Sequence, residues 1–592
     1  MRTDSHDDND RLEVGRDRLK AAADAARAAV AAAPRDPEAA RALFVAVREY
    51  RDRFPQPTRA QEPTPSELGE SRRLIRAKDH ESAEVILREY LAKHPDEPSA
   101  MHMMAEIAAY CGLSEDSQRI LRYSAQIHAN DPDALASLGS TLNRVAIHED
   151  LPELIFRAAE VFDRALAIDP QHEQALSLKA QMMMQTRGLN QAREAYDKLV
   201  SLYPHVAQHW LNYGSLLKPL GETGQAVAAI RTALALEPGN GSWWWTLSDL
   251  RTARLFDGDI AQMEEALDRA DLPDGQRVQL HFALATAYDA AGEFERAIGH
   301  IERGSAFRAT LDKTQQKPLV ADSAFIRRTF TKQFFDDRKD WGDHRKGPIF
   351  ILGMHRAGST LVEQILSSHS QIEGSEELFI ITRFASEIGR ESSDGDQSAV
   401  IEALRNHDFQ RFGERYFELS SRSRNTDRPF LTDKYPGNWK FVGLIHCMLP
   451  NSRIIDVRRN PMDCCFANYF RYYSTASDHS FSQEGMGRYY ADYVAAMRHF
   501  DAVLPGRVHR IIHDDLVDDL DREVRRLLDY IGVPFEENCL QFFETKRAVH
   551  TPSSEQVRQP INRKGFGRWQ RYEPWLGDMK AALGNTIDSW RG

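Results

Sequence analysis

Gly353, Arg356, Gly358, Ser359 and Thr360 fall within one short stretch that joins an apolar run, Ile349 to Leu352, to a segment of helical periodicity beginning around Leu361. A chain that leaves a buried strand, turns on glycine and enters a helix presents the backbone N–H groups of the first helical turn, which have no partner inside the helix. The helix dipole adds positive charge at the same end, so such a turn can hold an oxyanion, phosphate or sulfate. Ser359 and Thr360 bring hydroxyl donors, and Arg356 brings a permanent charge with several N–H groups suited to those oxygens. No lysine precedes the hydroxyls as GxxxxGK[ST] requires, so the Mg²⁺–nucleotide arrangement of ordinary ATPases is not indicated. An ordinary βα turn has the same outline.

A second cluster lies in SRIIDVRRNPMDCCFANYF, where a strand ends on Arg458 and Arg459 and a helix follows Asn460-Pro461. Arginines at the carboxyl edge of a strand sit where open α/β sheets bind ligands, although paired arginines can also be surface charge. Three further groups are unremarkable taken singly. Glu376 and Glu377 read as an acidic turn, Lys434 as a strand-end lysine in LTDKYPGNW, and Ser553-Ser554 as part of a polar stretch, TPSSEQVRQPINRKGFGRW.

Together these stretches resemble a known family. Strand–G-x-x-R-x-G-[ST]-T-L–helix is similar to the 5′-phosphosulfate loop of sulfotransferases that use 3′-phosphoadenosine-5′-phosphosulfate (PAPS). HRAGSTLVEQILSSHSQIEGSEEL is closest to the tyrosylprotein sulfotransferase branch and its bacterial tetratricopeptide-fused relatives. The resemblance spans about residues 346 to 580. It implies that His355, Arg356, Ala357, Gly358, Ser359 and Thr360 cradle the phosphosulfate, and that Arg459, which opens R-[DN]-x-x-[DR], holds the 3′-phosphate. It also implies that Glu377 is the general base, that Lys434 lies near the bridging oxygen, that Ser554 contacts the transferring sulfuryl group, and that Arg568 contacts the donor phosphate. The co-substrate would be PAPS, with no metal. Three positions depart from the pattern. Ala357 replaces a serine of the loop, Ala467 replaces a serine ligand of the 3′-phosphate (for which Asn468 or Tyr472 could substitute), and His513 replaces a tyrosine near the adenine.

The elements that must position these residues are legible as well. PIFILGM, RPFLTDK, SRIIDVRR and VHRIIHDDLV are short β-rich runs separated by helix-like segments, which predicts βαβ units and a parallel sheet. Upstream the texture is helical and repetitive. Pro170, Pro204 and Pro238 are 34 residues apart, Pro132 precedes them by 38, and Pro95 by a further 37. Trp210, Gly214, Leu217, Gly221, Ala226 and Ala233 before Pro238 resemble the tetratricopeptide pattern, in which small residues let paired helices cross closely. Leu176, Ala180, Gly188, Ala192 and Tyr196 repeat it, as do Ala285, Tyr288, Gly292, Ala297 and Ile301, and an insertion is read around Ile147 to Asp150. The predicted organisation is therefore an α-solenoid of tetratricopeptide-like hairpins followed by an α/β domain with a parallel sheet and a P-loop-like phosphosulfate loop. Its parts are an N-terminal helical segment (1–53), a Pro-rich linker (54–70), the repeat array (71–315), a connecting helical segment (316–345) and the sulfotransferase-like domain (346–592).

Composition bounds the remaining possibilities. A chain of 592 residues with 42% hydrophobic and 28% charged residues needs several cores. The net charge of −12 argues against a general nucleic-acid binder but not against a nucleotide pocket. No apolar run has the length of a membrane span and the acidic N-terminus lacks a signal-peptide core, which predicts a cytoplasmic protein. Five scattered cysteines offer no metal cage, and Cys464-Cys465 read as two small buried helix residues or a redox pair. The predicted activity is sulfuryl transfer from PAPS, an adenine-nucleotide donor, to a hydroxyl acceptor such as a protein or peptide tyrosine. The array would deliver a protein or peptide partner, or serve homodimerisation. Two alternatives stand beside it: a nucleotide-binding scaffold with weak or lost catalysis, and a phosphoryl-transfer enzyme.

Overall fold

The computed structural model describes residues 4–54, 65–149, 151–186, 188–311, 323–375, 377–390, 397–473, 478–545, 547 and 555–592. The chain divides into two compact units, Met1–Pro238 and Gly239–Gly592. Most of the expected linker, residues 55–64, lies outside the described residues, as does Asp150 of the expected insertion.

The first unit is a series of helical hairpins. Ala207–Leu220 with Thr223–Leu236 shows why the repeat pattern has the residues it has. A Cβ on Gly214 would come within 2.6 Å of Ile230 Cγ1, so glycine lets the two helices touch. Gly221 caps the first helix in the left-handed region at φ 83°, and the Trp210 indole N–H donates to Pro204 O at 2.8 Å across the turn. Glu173–Gln185 pairs with Leu189–Leu202 in the same way, and Pro132–Glu149 is an 18-residue helix that runs through the inserted positions 147–149. The N-terminal helices Asp4–Ala32 and Pro37–Arg53 pack on the Thr223–Leu236 helix, far from them in sequence. Arg51 donates to Leu236 O at 3.0 Å, and the Arg27 guanidinium stands 4.3 Å over the Trp210 ring.

The second unit opens with helices that continue the repeat texture, α1 (Gly241–Ser248), α2 (Asp257–Leu267), α3 (Asp274–Ala291) and α4 (Phe294–Leu311). Ala285, Tyr288, Ala297 and Ile301 are buried between α3 and α4, and Gly292 caps α3 at φ 81°. The sheet follows: β1 (Pro348–Gly353), β2 (Ile372–Glu373), β3 (Phe430–Lys434), β4 (Arg453–Arg458) and β5 (Val508–Ile512). Its order is β2-β3-β1-β4-β5 and every pairing is parallel, with Phe350 opposite Asp433 on one side and Ile454 on the other. All six residues of β1 are buried, as a central parallel strand covered on both faces requires. Helices α5 (Ser359–Ser367), α6 (Pro461–Tyr469) and α7 (Gln483–Val503) connect the strands. Strand order reverses between β1 and β4, so the loops leaving their carboxyl ends part and open a crevice there.

Several histidines are held neutral by burial. The His281 and His300 Nδ1 atoms face each other at 3.0 Å between α3 and α4, and burial lowers their proton affinity to pKa values of about 4 and 3. His102 and His446 are lowered in the same way, to about 3 and 4. The unfolded chain takes up these protons near pH 6.5 while the native chain refuses them, so the stability they contribute is present above that pH and falls as the pH drops toward 4. Thermal melts should therefore show Tm falling as the pH drops from about 6.5 to 4. A Tm that does not fall across that interval would contradict the burial of these imidazoles in neutral form.

Candidate active site at the carboxyl edge of the sheet

The loop between β1 and α5 takes its shape from three left-handed residues, Gly353 (φ 137°), Arg356 (φ 64°) and Gly358 (φ 105°). A Cβ on Gly353 would lie 2.3 Å from Val457 O of β4, so only glycine lets β1 end flush against its neighbour. A Cβ on Gly358 would meet the His513 ring at 2.5 Å, which explains the close fit of that histidine beneath the loop. Arg356 is one of only two non-glycine residues with positive φ among the described residues, a strained conformation that concentrates at functional sites. Ser359 and Thr360, both buried, open α5 behind the Gly358 cap.

The loop is held from α6. Asn468 Nδ2 donates to His355 O at 2.8 Å and Cys464 Sγ approaches the same carbonyl at 3.3 Å, while Tyr473 Oη donates to Asn468 Oδ1 at 2.7 Å. Asn468 thus supports the loop backbone, and Tyr472 packs its ring against Trp245 and Phe282 at 5.8 and 5.7 Å. Cys464 and Cys465 are both buried thiols. Ala357 is buried under the loop, where a serine hydroxyl would need its own partner.

Lys434 closes β3 with a side chain 1% exposed, and its Nζ donates to Glu377 Oε1 at 2.6 Å. The loop histidine joins this pair. Burial lowers the His355 pKa to about 4, with Glu377 opposing and Lys434 and Arg356 reinforcing that shift through their charges. Burial, assisted by Arg471, lowers the Arg356 pKa to about 10. His355, Arg356, Glu377 and Lys434 are therefore brought together. Arg459 adjoins them from the end of β4, its Nη1 donating to Arg356 O at 3.4 Å and its Nη2 to Gly565 O at 2.6 Å. Its neighbour Arg458 is completely buried, pairs with Asp456 at 2.8 Å and belongs to the core. Arg568 is placed against α3, donating to Asp289 at 2.7 Å, with its guanidinium 4.6 Å from the Phe470 ring. Glu376, Ser553 and Ser554 lie outside the described residues.

Arg547 is a site-supporting residue that sequence reasoning missed. It donates to buried Glu363 at 2.9 Å, to the Gln364 side chain at 3.0 Å and to Ser375 O at 3.1 Å. It thereby ties the helix behind the anion loop to the segment that carries Glu377. The only signal was the buried carboxylate in LVEQIL, a charge on an apolar helix face that needs a cation from elsewhere. Among the described residues no group of three His, Cys, Asp or Glu side chains is placed to hold a metal ion, and no helix is long and apolar enough to cross a membrane.

Residues 348–537 match the model of the Sulfotransferase family. The second unit carries a sulfotransferase-family domain. Residues 207–240 match the Tetratricopeptide repeat, so helical repeats precede an α/β domain with a five-stranded parallel sheet. An uncharacterized protein of Aquifex aeolicus (strain VF5) is 26% identical over 418 residues, which cover 67% of this chain and 53% of that protein. The chain thus spans about half the length of that curated relative. Among solved structures, the sulfotransferase domain of the Synechococcus PCC 7002 olefin synthase is 18% identical, with 43% of this chain and 98% of that one covered and a TM-score of 0.32. A sulfotransferase from Alicyclobacillus acidocaldarius is 16% identical, covering 42% of this chain and 100% of that one, with a TM-score of 0.25.

Beneath the site, Asp433 is wholly buried and accepts from Tyr416 Oη at 3.0 Å, while its other oxygen has no partner. Burial raises its pKa to about 8. The folded chain keeps this proton where the unfolded chain loses it near pH 4, so stability falls as the pH rises between those values. Asp433→Asn should raise Tm at pH 8 and leave it little changed at pH 5, as read by calorimetry. A loss of stability at both pH values would overturn the assignment of a neutral carboxyl.

Proposed function

We propose that this protein transfers a sulfuryl group from PAPS to an acceptor hydroxyl, with an aromatic hydroxyl, such as a protein or peptide tyrosine, as the acceptor class. The observation that carries the reading is the 2.6 Å Lys434–Glu377 pair set beside the anion loop, a base and a buried cation next to an oxyanion cradle. Backbone N–H groups at the start of α5, with Arg356, Ser359 and Thr360, hold the 5′-phosphosulfate. Arg459 holds the 3′-phosphate at the switch point between β1 and β4. Ser554 and Arg568 are assigned to the sulfuryl group and donor phosphate on the family resemblance alone.

In the reaction, Glu377 accepts the acceptor's proton as its oxygen attacks sulfur. The new S–O bond forms as the bond from sulfur to the bridging phosphate oxygen breaks, and 3′,5′-adenosine bisphosphate departs with the electron pair. Lys434 and Arg356 oppose the charge growing on that oxygen and on the transferring group. A phenol with pKa near 10 gains from such a base at neutral pH. The acceptor side also suits an aromatic ring. Phe379, 54% exposed, stands two residues past Glu377 with its ring 4.8 Å from that of Tyr435, the residue after Lys434.

Transfer of labelled sulfate from PAPS to a tyrosine peptide library, with small phenols and sugars in parallel, tests the reading directly. Arg356→Ala should abolish transfer. Glu377→Gln should lower kcat by about 10²–10⁴-fold while calorimetry shows 3′,5′-adenosine bisphosphate still bound. Absence of any binding of that bisphosphate would sink the proposal, and unchanged turnover in Glu377→Gln would remove the base.

A further inference from the structure

The segment from Glu555 to Arg568 is fastened at both ends to helices that precede the α/β domain. At its start, the Glu555 carboxylate accepts from the backbone N–H of Arg251 at 3.2 Å, from that of Thr252 at 3.0 Å and from the Thr252 hydroxyl at 2.7 Å, all in the turn after α1. The Gln556 amide faces the Arg251 guanidinium. At its end, Arg568 donates to Asp289 of α3 at 2.7 Å, and Tyr572 Oη donates to the other oxygen of the same carboxylate at 2.6 Å.

Between these fastenings the segment lies on the donor side of the site. Gly565 O accepts from Arg459 at 2.6 Å, the Phe566 ring stacks on His513 at 5.5 Å, and Gly567 N donates to Asp463 of α6 at 2.8 Å. Arg459 and His513 are also the residues that pack directly on the anion loop, at Arg356 O and at Gly358. The same helices reach the loop by a second route, since Asp249 pairs with Arg471 at 2.5 Å, two residues before the Tyr473 that braces Asn468 and His355 O.

We propose that the turn after α1 and the α3 carboxylate Asp289 are positioning elements of the donor-nucleotide site. They hold a strap, 555–568, whose middle sets the place of Arg459 and His513 around the nucleotide's 3′ end. Glu555 and Asp289 act through that strap, so binding of the donor is coupled to the last repeat-like helices of the chain. The proposal rests on the PAPS reading above. Five N–H or O–H groups converge on two carboxylates here, and a carboxylate that spans backbone amides and a hydroxyl fixes position better than a single exposed ion pair does.

The test uses the full chain with 3′,5′-adenosine bisphosphate as the probe. Glu555→Ala and Asp289→Asn should each weaken its binding by about tenfold in calorimetry. The KM for PAPS should rise with them, while kcat at saturating donor changes less than threefold. Thr252→Val should weaken binding by a smaller factor, and the Glu555→Ala/Thr252→Val double variant should bind no worse than Glu555→Ala alone, because both remove one clamp. A purely structural role would lower Tm and leave the Kd of the folded fraction unchanged, and that result overturns the proposal. Should the variants fail to fold, the wild-type chain decides. Adding the bisphosphate should slow amide exchange at 249–254 as well as at 353–362. Protection at 353–362 without 249–254 refutes the coupling, whereas no protection at either refutes the nucleotide reading itself.

Discussion

The central strand of the sheet ends where there is no room for a side chain. Val457 O of β4 occupies the space a Cβ on Gly353 would need, and the chain must turn at that point through backbone angles that favour glycine. Everything about the loop follows from this. Because β1 and β4 stay in register up to Gly353 and Val457, their exits diverge from a common level, and the α5 N-terminus is delivered to the mouth of the crevice. Gly358 repeats the constraint one turn later against His513, so loop and floor are fitted to each other by exclusion of side chains rather than by attraction. The strained backbone at Arg356 is tolerated because its neighbours on both sides are fixed.

Charge is managed unequally around that loop. The core beneath it contains an ionic network, in which Asp456 receives Arg458, Arg510 and Tyr493, and a neutralised acid at Asp433. The site itself keeps cations at close quarters: Arg356, Lys434 and Arg459, with Arg471 near enough to depress Arg356. Crowded guanidinium and ammonium groups in a partly desolvated pocket are costly to one another, and an anion with charge at two ends relieves that cost. On the proposed reading, the phosphates of the donor are that anion.

Much of this was legible in the sequence. The four longer strands announced themselves as apolar β-rich runs, and the 34-residue spacing of Pro170, Pro204 and Pro238 marked hairpins whose small residues do sit at helix crossings. The two-residue β2 carried no pattern of its own. Adjacent Arg458 and Arg459 looked alike, yet the pleat sends them to opposite faces, and Asp456 two residues earlier on the same face marks Arg458 as the buried one. Pairings such as Arg568 with Asp289, or Thr252 with Glu555, could not be read, because they join surface positions some 280 to 300 residues apart and leave no local periodicity. For the same reason the packing of the N-terminal helices on Thr223–Leu236 was invisible, although their helical character was plain.

The neighbours Asp433 and Lys434 on β3 are both buried, on opposite faces of one strand. A slip of β3 by a single residue would exchange them, driving an ammonium group in beside Tyr416 and turning an acid toward Glu377. Alternative pairings of the strand are therefore penalised by ionisation as well as by lost apolar contact. The two residues fix the strand's alignment from either side.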